Sequence, residues 1–370
     1  MKKTILLSSL LALSALAGKS YAATLDNSCN GVNKKWSSNS VTFRASQTGF
    51  PSGNDYRTAL GHVITQFNKN PSKIRFSMQY DDASVGMNNG QNEVWWSSTI
   101  SAPAVAYTWK SCYWLFGWKH DITESDVVFK NTVSYTPGTE YSATRIDAST
   151  ITPYGGASRP FKTTALHEFG HAAGLGHENG RYSIMGQDWD HIHRNYIYAL
   201  AYMGEDANYG LLQLYGQNSG NVQDLGVVHW KYDGASGAYS SHIKTKLYNS
   251  SGVELPYSTV NGERRYNVNK GQLVRLELTY ENNGESSQVP AINYYVSTNS
   301  LITTADTLLA STSFTLNPEG NVYTSSRSLT IPNNLNSNQD YWIGAIIDPN
   351  NVISEVEENN NATYLPIRVN

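Results

Sequence analysis

The sequence predicts two folded units in tandem: an α+β domain with a twisted mixed sheet and a site-bearing helix, then an all-β sandwich. Three observations predict this. As far as residue 216, strand-like alternation is interleaved with stretches of helical spacing. From about Val222 the helical spacing ends, and short alternating stretches recur between Asn, Gly, Ser and Pro turns. The length of 370 residues also exceeds the roughly 100–200 residues of one ordinary domain. The expected division is a leader over 1–22, a first domain over 23–217, a polar linker over 218–225 and the sandwich over 226–370.

Residues 1–22 read as a secretory signal peptide of bacterial type. Lys2 and Lys3 form a positive start, Ile5–Ala17 is an apolar run, and Ser20-Tyr21-Ala22 places small residues before a cleavage site. That run is too short for a bilayer, and no later one reaches the ~18 apolar residues of a membrane helix, so no membrane span is expected. The expected location is extracellular. Losing the leader's three lysines takes the net charge from −3 to −6. That balance gives no electrostatic footprint for phosphates, and no nucleic-acid partner is expected. With 39% apolar and 12% aromatic residues, the chain can fill a core, which argues against disorder. Only 15% of residues are charged, below the roughly 25% of ordinary soluble proteins, as suits a turn-rich exported chain.

In the first domain, Ser40–Ala45 alternates and is β-branched, a strand. Asp55–Lys69 carries Leu60, Val63, Ile64 and Phe67 at helical spacing, with Asp55 as N-cap and Pro71 as the stop. Ile74–Tyr80, Glu93–Ser97, Ala104–Trp109 and Asp126–Phe129 read as strands, and a Thr/Ser/Gly/Pro-rich loop runs on to Pro160. Phe161–Ala173 reads as a helix ended by Gly174, and Glu205–Tyr215 as a last helix ended by Gly216. In the second domain the expected strands are Val227–Tyr232, His242–Tyr248, Leu273–Tyr280, Ile292–Val296, Ser313–Leu316, Ser326–Ile331, Tyr341–Ile347 and Tyr364–Val369.

The chemistry rests on one stretch, His167-Glu168-Phe169-Gly170-His171-Ala172-Ala173-Gly174-Leu175-Gly176-His177. Residues i and i+4 share a helix face, so His167 and His171 can aim ring nitrogens at one ion. Gly174 can adopt positive φ and turn the chain back, bringing His177 in as a third ligand. Three imidazoles with one open position make a catalytic zinc site, whereas structural zinc sites close all four positions. Glu168, beside the first ligand, is placed to act as general base on a water that zinc has acidified.

This stretch resembles the signature of the metzincin zinc metallopeptidases, followed by a Met-turn. Tyr182-Ser183-Ile184-Met185-Gly186 is similar to that turn, and the resemblance implies that Met185 forms an apolar floor beneath the metal. Thr123-Glu124-Ser125-Asp126-Val127-Val128-Phe129 and the segment Gly204–Gly216 are similar to elements of bacterial matrixin-type peptidases. The resemblance covers roughly residues 40–216. Two features depart from it. Gln187 stands where some metzincins have a tyrosine near the metal, and the chain between the leader and the first strand is short. In the second domain, Tyr294–Thr298 with Ala305–Leu309, and the acidic Ile347–Asn360, resemble parts of CARDB-type adhesion modules, which are immunoglobulin-like sandwiches. That resemblance implies binding or spacing without chemistry.

Cys29 and Cys112 are the two cysteines, and an even count in an exported chain favours a disulfide between them. The rival is a free Cys29 whose thiolate caps the zinc and keeps the enzyme latent; Asp26 is a weaker candidate for that blocking role. Asp81, Asp82 and the Asn-rich run to Asn92 offer hard oxygen ligands for Ca2+, without a recognisable loop spacing. Glu355, Glu357 and Glu358 offer a second such group, or a solvated acidic edge. Asp188, Asp190, His191 and His193 follow the Met-turn and read as polar loop residues, with cleft lining or a second metal as the alternative. Trp95, Trp96, Trp109, Trp114 and Trp118 read as core and cleft wall.

The expected function is a secreted, monomeric zinc endopeptidase that cuts protein or glycoprotein substrates. The alternative is a surface adhesin or effector that binds protein or glycan through the sandwich and cuts little.

Overall fold

The structure is a computed structural model describing residues 23–137, 159–187, 193–196, 198–234, 242–260 and 263–370. The leader over 1–22 lies outside the described residues, as do Asp188, Asp190 and His191. Among the described residues the chain is mostly β, with three helices.

The first unit is built from β1 (Lys35–Trp36), β2 (Ser40–Ser46), α1 (Asp55–Phe67), β3 (Arg75–Asp82), β4 (Glu93–Ser97), β5 (Ala104–Trp114), β6 (Trp118–Lys130), α2 (Phe161–Ala172) and α3 (Gly204–Tyr215). The sheet runs β3-β2-β4-β6-β5. It is parallel except for β5, which lies antiparallel on β6 at the edge, while β1 pairs beside the start of β6. One face of each inner strand is apolar: Phe43 and Ala45 of β2, Phe76 of β3, Val94 of β4 and Val127 and Phe129 of β6. These meet Leu60, Val63 and Phe67 of α1 and Leu166 and Phe169 of α2 in one core. Phe43 meets Phe76 and Phe169 edge-on at 5.0 and 5.2 Å between ring centroids, the geometry that aromatic quadrupoles favour.

Two expectations for this unit need correction. Asn54, not Asp55, caps α1: its Oδ1 accepts from Tyr56 N–H at 2.8 Å, leaving Asp55 in the first turn, where its charge suits the helix dipole. Strands β5 and β6 are also longer than the alternation indicated, and continue together as a ribbon to a turn at 115–117. Beyond Lys110 both faces of β5 meet solvent, so no burial pattern marks the strand in the sequence.

The second unit is a two-sheet sandwich. One sheet holds Leu225–Val228, Leu247–Asn249, Leu273–Asn282 and Tyr323–Thr330. The other holds Tyr257–Val260, Glu263–Val268, Ala291–Ser297, Thr307–Ser313, Gln339–Ile347 and Ala362–Val369. Leu276, Leu278 and Leu329 of the first sheet pack against Ile292, Ile343, Leu365 and Ile367 of the second, which is the face-to-face arrangement of a sandwich. The strand expected at Ser313–Leu316 instead occupies Thr307–Ser313, and Leu316 makes only an isolated bridge to Gln288. The antiparallel pair of Tyr257–Val260 and Glu263–Val268 was not expected, because Glu263, Arg264 and Arg265 break the alternation.

The units are packed together. In the polar segment between them, Asn218 N–H bonds Pro71 O at 2.8 Å, and Asp224 O accepts from Asn283 N–H at 2.8 Å. The acidic run is no solvated edge. Glu357 is buried against α1, 2.5 Å from Lys69 Nζ and 3.0 Å from Gln66 Nε2. Burial alone would raise its carboxyl, but Lys69 and Gln66 outweigh burial and hold it low. Glu355 accepts from Leu225 N–H and Asn361 Nδ2. From α3, Glu205 accepts from Asn282 N–H at 2.8 Å and Asn321 N–H at 2.5 Å.

Candidate metal centre

Helix α2 is buried on nearly all sides, so its position is set by the core, and with it His167 and His171. After Ala172 the chain turns back in a paired arrangement. Gly174 N–H bonds His171 O at 2.9 Å, and Leu175 N–H bonds Gly170 O at 3.0 Å. This is the Schellman ending, with Gly174 at φ 100°. A Cβ at 174 would meet Lys34 O at 2.7 Å, so glycine is needed there for both conformation and space. The reversal brings in His177. Its Nε2 lies 3.0 Å from His171 Nε2, which is itself 3.0 Å from His167 Nε2. Among the described residues this is the one place where three metal-ligating groups converge.

The ring tautomers follow from carbonyl partners. His167 Nδ1 lies 2.6 Å from Ile184 O, and His171 Nδ1 lies 2.8 Å from Leu175 O. A carbonyl only accepts, so both Nδ1 atoms donate and both Nε2 atoms present lone pairs. Burial pushes His167 down to about 4, with His177 adding to the effect, and lowers His171 and His177 as well. Two imidazoles with lone pairs on Nε2, and the Nε2 of a third beside them, can serve as a ligand set for a cation. The 3.0 Å separations approach the roughly 3.3 Å that tetrahedral Zn–N bonds of about 2.0–2.1 Å require. The donor set therefore fits zinc.

The turn beneath the histidines is held from two sides. Ser183 Oγ donates to Asp206 Oδ2 of α3 at 3.2 Å and accepts from Met185 N–H at 3.2 Å. Tyr182 N–H bonds Tyr232 O at 2.8 Å, and its ring stacks on Trp230. The turn therefore rests on a small aromatic core of Tyr182, Tyr202, Trp230 and Tyr232, drawn from both units. Met185 is buried, and its sulfur fills the space beside Gly170.

Glu168 lies in the cleft with the histidines. The cleft has a volume of about 440 Å³ and is lined also by Ala102–Ala106 and Thr108, which include part of β5, and by Lys34 and Gln187. Burial pushes the Glu168 carboxyl up to about 8, against a bond from Ala106 N–H. A cation among the imidazoles would lower it again. Among the described residues β5 pairs only with β6, so apart from Ala106 N–H, which Glu168 holds, its other side can pair with an extended chain.

The remaining expected residues lie elsewhere. Cys29 is bonded to Cys112, and the described chain has no free cysteine, so Cys29 offers no thiolate to a metal. Asp26 pairs with Lys110 at 2.6 Å, outside the cleft. Asp81 pairs with Arg44. Glu93 and Glu124 accept N–H groups of Gly86, Asn89 and Gly90, so the Asn-rich run folds over these acids with its backbone. His193 is buried, and its Nε2 has no hydrogen-bond partner. Trp96 packs in the core, but Trp114 and Trp118 are exposed and form neither core nor cleft wall. Lys34 had no sequence signal; it enters the cleft because its carbonyl abuts Gly174.

No protein-family model matches the chain, and no curated protein matches it. Among solved structures it is similar over part of its length to a CARDB domain from Pyrococcus furiosus. The crystal structure of that domain in complex with di-metal ions has 17% identity and a TM-score of 0.25, covering 40% of this chain and 90% of that one. Its solution structure has 18% identity and a TM-score of 0.25, covering 40% and 96%. A beta-glucosidase from Listeria innocua in complex with glucose has 14% identity and a TM-score of 0.21, covering 37% and 18%. These likenesses are too slight to bear on function. No helix among the described residues is long and apolar enough to cross a membrane.

Proposed function

We propose that the protein is a secreted zinc-dependent endopeptidase acting on extended segments of protein or glycoprotein substrates. One observation carries the reading: the Nε2 atoms of His167, His171 and His177 converge within a cleft that also holds Glu168 and borders a sheet edge with no partner strand among the described residues. The resemblance of the His167–His177 stretch to metzincin peptidases supports the same reading, and the Cys29–Cys112 disulfide accords with an oxidising compartment.

His167, His171 and His177 would hold the ion. Bound zinc supplies Lewis acidity, which acidifies water and polarises a carbonyl. The outer edge of β5 binds the substrate backbone as an added strand and so lays the scissile bond across the cleft. Glu168 removes a proton from the attacking water. The water oxygen bonds to the carbonyl carbon, the C–N bond breaks, and Glu168 returns the proton to the leaving nitrogen. Its burial keeps competing solvent away from that transfer. The sandwich positions the first unit and buttresses the Met185 turn through Tyr232 and Trp230.

The test is Glu168→Gln. Zinc content per chain should be unchanged, while cleavage of casein or gelatin falls by about 10²–10⁴. Full activity in that variant overturns the mechanism. Absence of any chelator-sensitive cleavage by the parent chain favours the binding role instead.

A further inference from the structure

Among the described residues, exposed large apolar side chains stand singly in the sequence except at the tip of the β5–β6 ribbon. There Tyr113, Trp114, Leu115, Phe116 and Trp118 all face solvent, with Trp114 67%, Leu115 53% and Phe116 100% exposed. The turn is closed by Leu115 N–H to Gly117 O at 2.9 Å, with Phe116 at φ 50° and Gly117 at φ 131°. Asn or Gly usually fills such a position, and a bulky residue there is strained. Phe116 has no packing that offsets this strain, which points to a purpose outside the chain.

The side chains are ordered by depth. Leu115 and Phe116 form the apex. Next come Trp114 and Trp118, paired across the ribbon and edge-on at 5.8 Å. Then come Tyr113 and Lys119, with Tyr113 Oη donating to Asp121 Oδ2 at 2.6 Å. At the base, Cys112 is tied to Cys29, which braces the ribbon against the N-terminal segment. Purely apolar, then amphipathic aromatic, then charged is the polarity sequence from the acyl boundary of a bilayer outward through its headgroups.

A protein partner fits less well. Five such side chains at about 200 Å² each, exposed to these extents, offer roughly 600 Å², under the ~800 Å² per partner of a standard interface. They also surround a narrow ribbon, so a flat partner reaches one side while a bilayer envelops all of them. The nearby charges nearly balance, Lys110 with its ion-pair partner Asp26 and Lys119 with Asp121 two residues along the same strand, so insertion would be driven by apolar burial.

We propose that residues 113–118 are an interfacial membrane anchor, seating Trp114, Leu115, Phe116 and Trp118 at the headgroup–acyl boundary of a lipid bilayer. The anchor lies on the surface and does not span. It stands independently of any proteolytic activity. Ala106 of the same strand borders the cleft about 26 Å away at ~3.3 Å per residue, so anchoring holds the cleft near the membrane surface.

The experiment is cosedimentation of the purified chain with vesicles of phosphatidylcholine, alone or mixed with phosphatidylglycerol, together with tryptophan emission. The parent chain should sediment with both and its emission should shift to shorter wavelength. The double variant Trp114→Ser/Phe116→Ser should partition about ten- to a hundredfold less, or lower still. Leu115→Ser, a milder change, should weaken binding in the same direction, while Val352→Ser, at another exposed apolar position, should leave it unchanged. Melting that matches the parent establishes that each variant is folded. A parent chain that stays in the supernatant overturns the proposal, as do tip variants that bind like the parent. Self-association of the parent that is lost in the double variant, without vesicle binding, overturns it in favour of a contact between copies.

Discussion

Gly170 leaves the space that the sulfur of Met185 occupies: a Cβ at position 170 would overlap it. One residue of the helix and one of the turn are thereby locked at contact. The same turn supplies the Ile184 carbonyl that orients His167. The glycine between the two helical histidines is thus a packing requirement of the candidate metal centre.

Gly170→Ala tests this. In a free helix the change gains about 1 kcal/mol. Here, overpacking against Met185 should cost about 1–3 kcal/mol and win, because both residues are buried. Denaturant unfolding should show a net loss of stability, and zinc competition should show weaker binding as Ile184 is displaced. A stabilised variant with unchanged zinc affinity would refute the lock.

The outer face of the sheet carries a second measurable feature. Asp126, Glu93, Glu124 and Asp82 are buried close together, and Asp126 Oδ2 has no hydrogen-bond donor. Burial, then the charges of Glu124 and Glu93, push Asp126 up to about 8 from 3.8; burial and Asp82 push Glu93 up to about 7. The folded state therefore holds a proton that the unfolded chain releases above about 4, so stability falls as pH rises from there towards 8. Asp126→Asn keeps the acceptor for Glu93 N–H, 2.9 Å away, and removes the titration. Its melting temperature should exceed that of the parent at pH 8, and the gap should close towards pH 5. An equal gap at both pH values would show that Asp126 is ionised in the fold.

Cys29 and Cys112 are 83 residues apart in the sequence. Replacing both with serine should cost about 2–5 kcal/mol of stability by freeing the unfolded chain. Thiol-modifying reagents should leave proteolysis by the parent unchanged. Activation by such a reagent would restore the latency role for Cys29 that the disulfide removes.

Much of the fold was legible because its buried faces follow simple periods. Leu60, Val63, Ile64 and Phe67 mark α1, and Gly174 marks the end of α2. What misled were elements whose stability comes from neighbours. The ends of β5 and β6 are strands through backbone pairing with both faces wet, and Thr307–Ser313 lends only the adjacent Leu309 and Ala310 to the core, so no alternation records them. Glu355 and Glu357 look solvated in a polar run, but Lys69, Gln66 and Leu225 reach them from distant parts of the chain.

The amino-acid order alone brings His167, His171 and His177 together, because they need only one helix face and one glycine turn to meet. It also determined that a sandwich follows. Only the tertiary structure decided what supports that set and where the molecule is exposed. The Met185 turn rests on Asp206 and Tyr232, the cleft wall is a sheet edge, and Trp114 and Phe116 stand in solvent instead of the core. Spacing encodes contacts within a turn or two of chain, whereas these depend on which surfaces remain uncovered after all the others have packed.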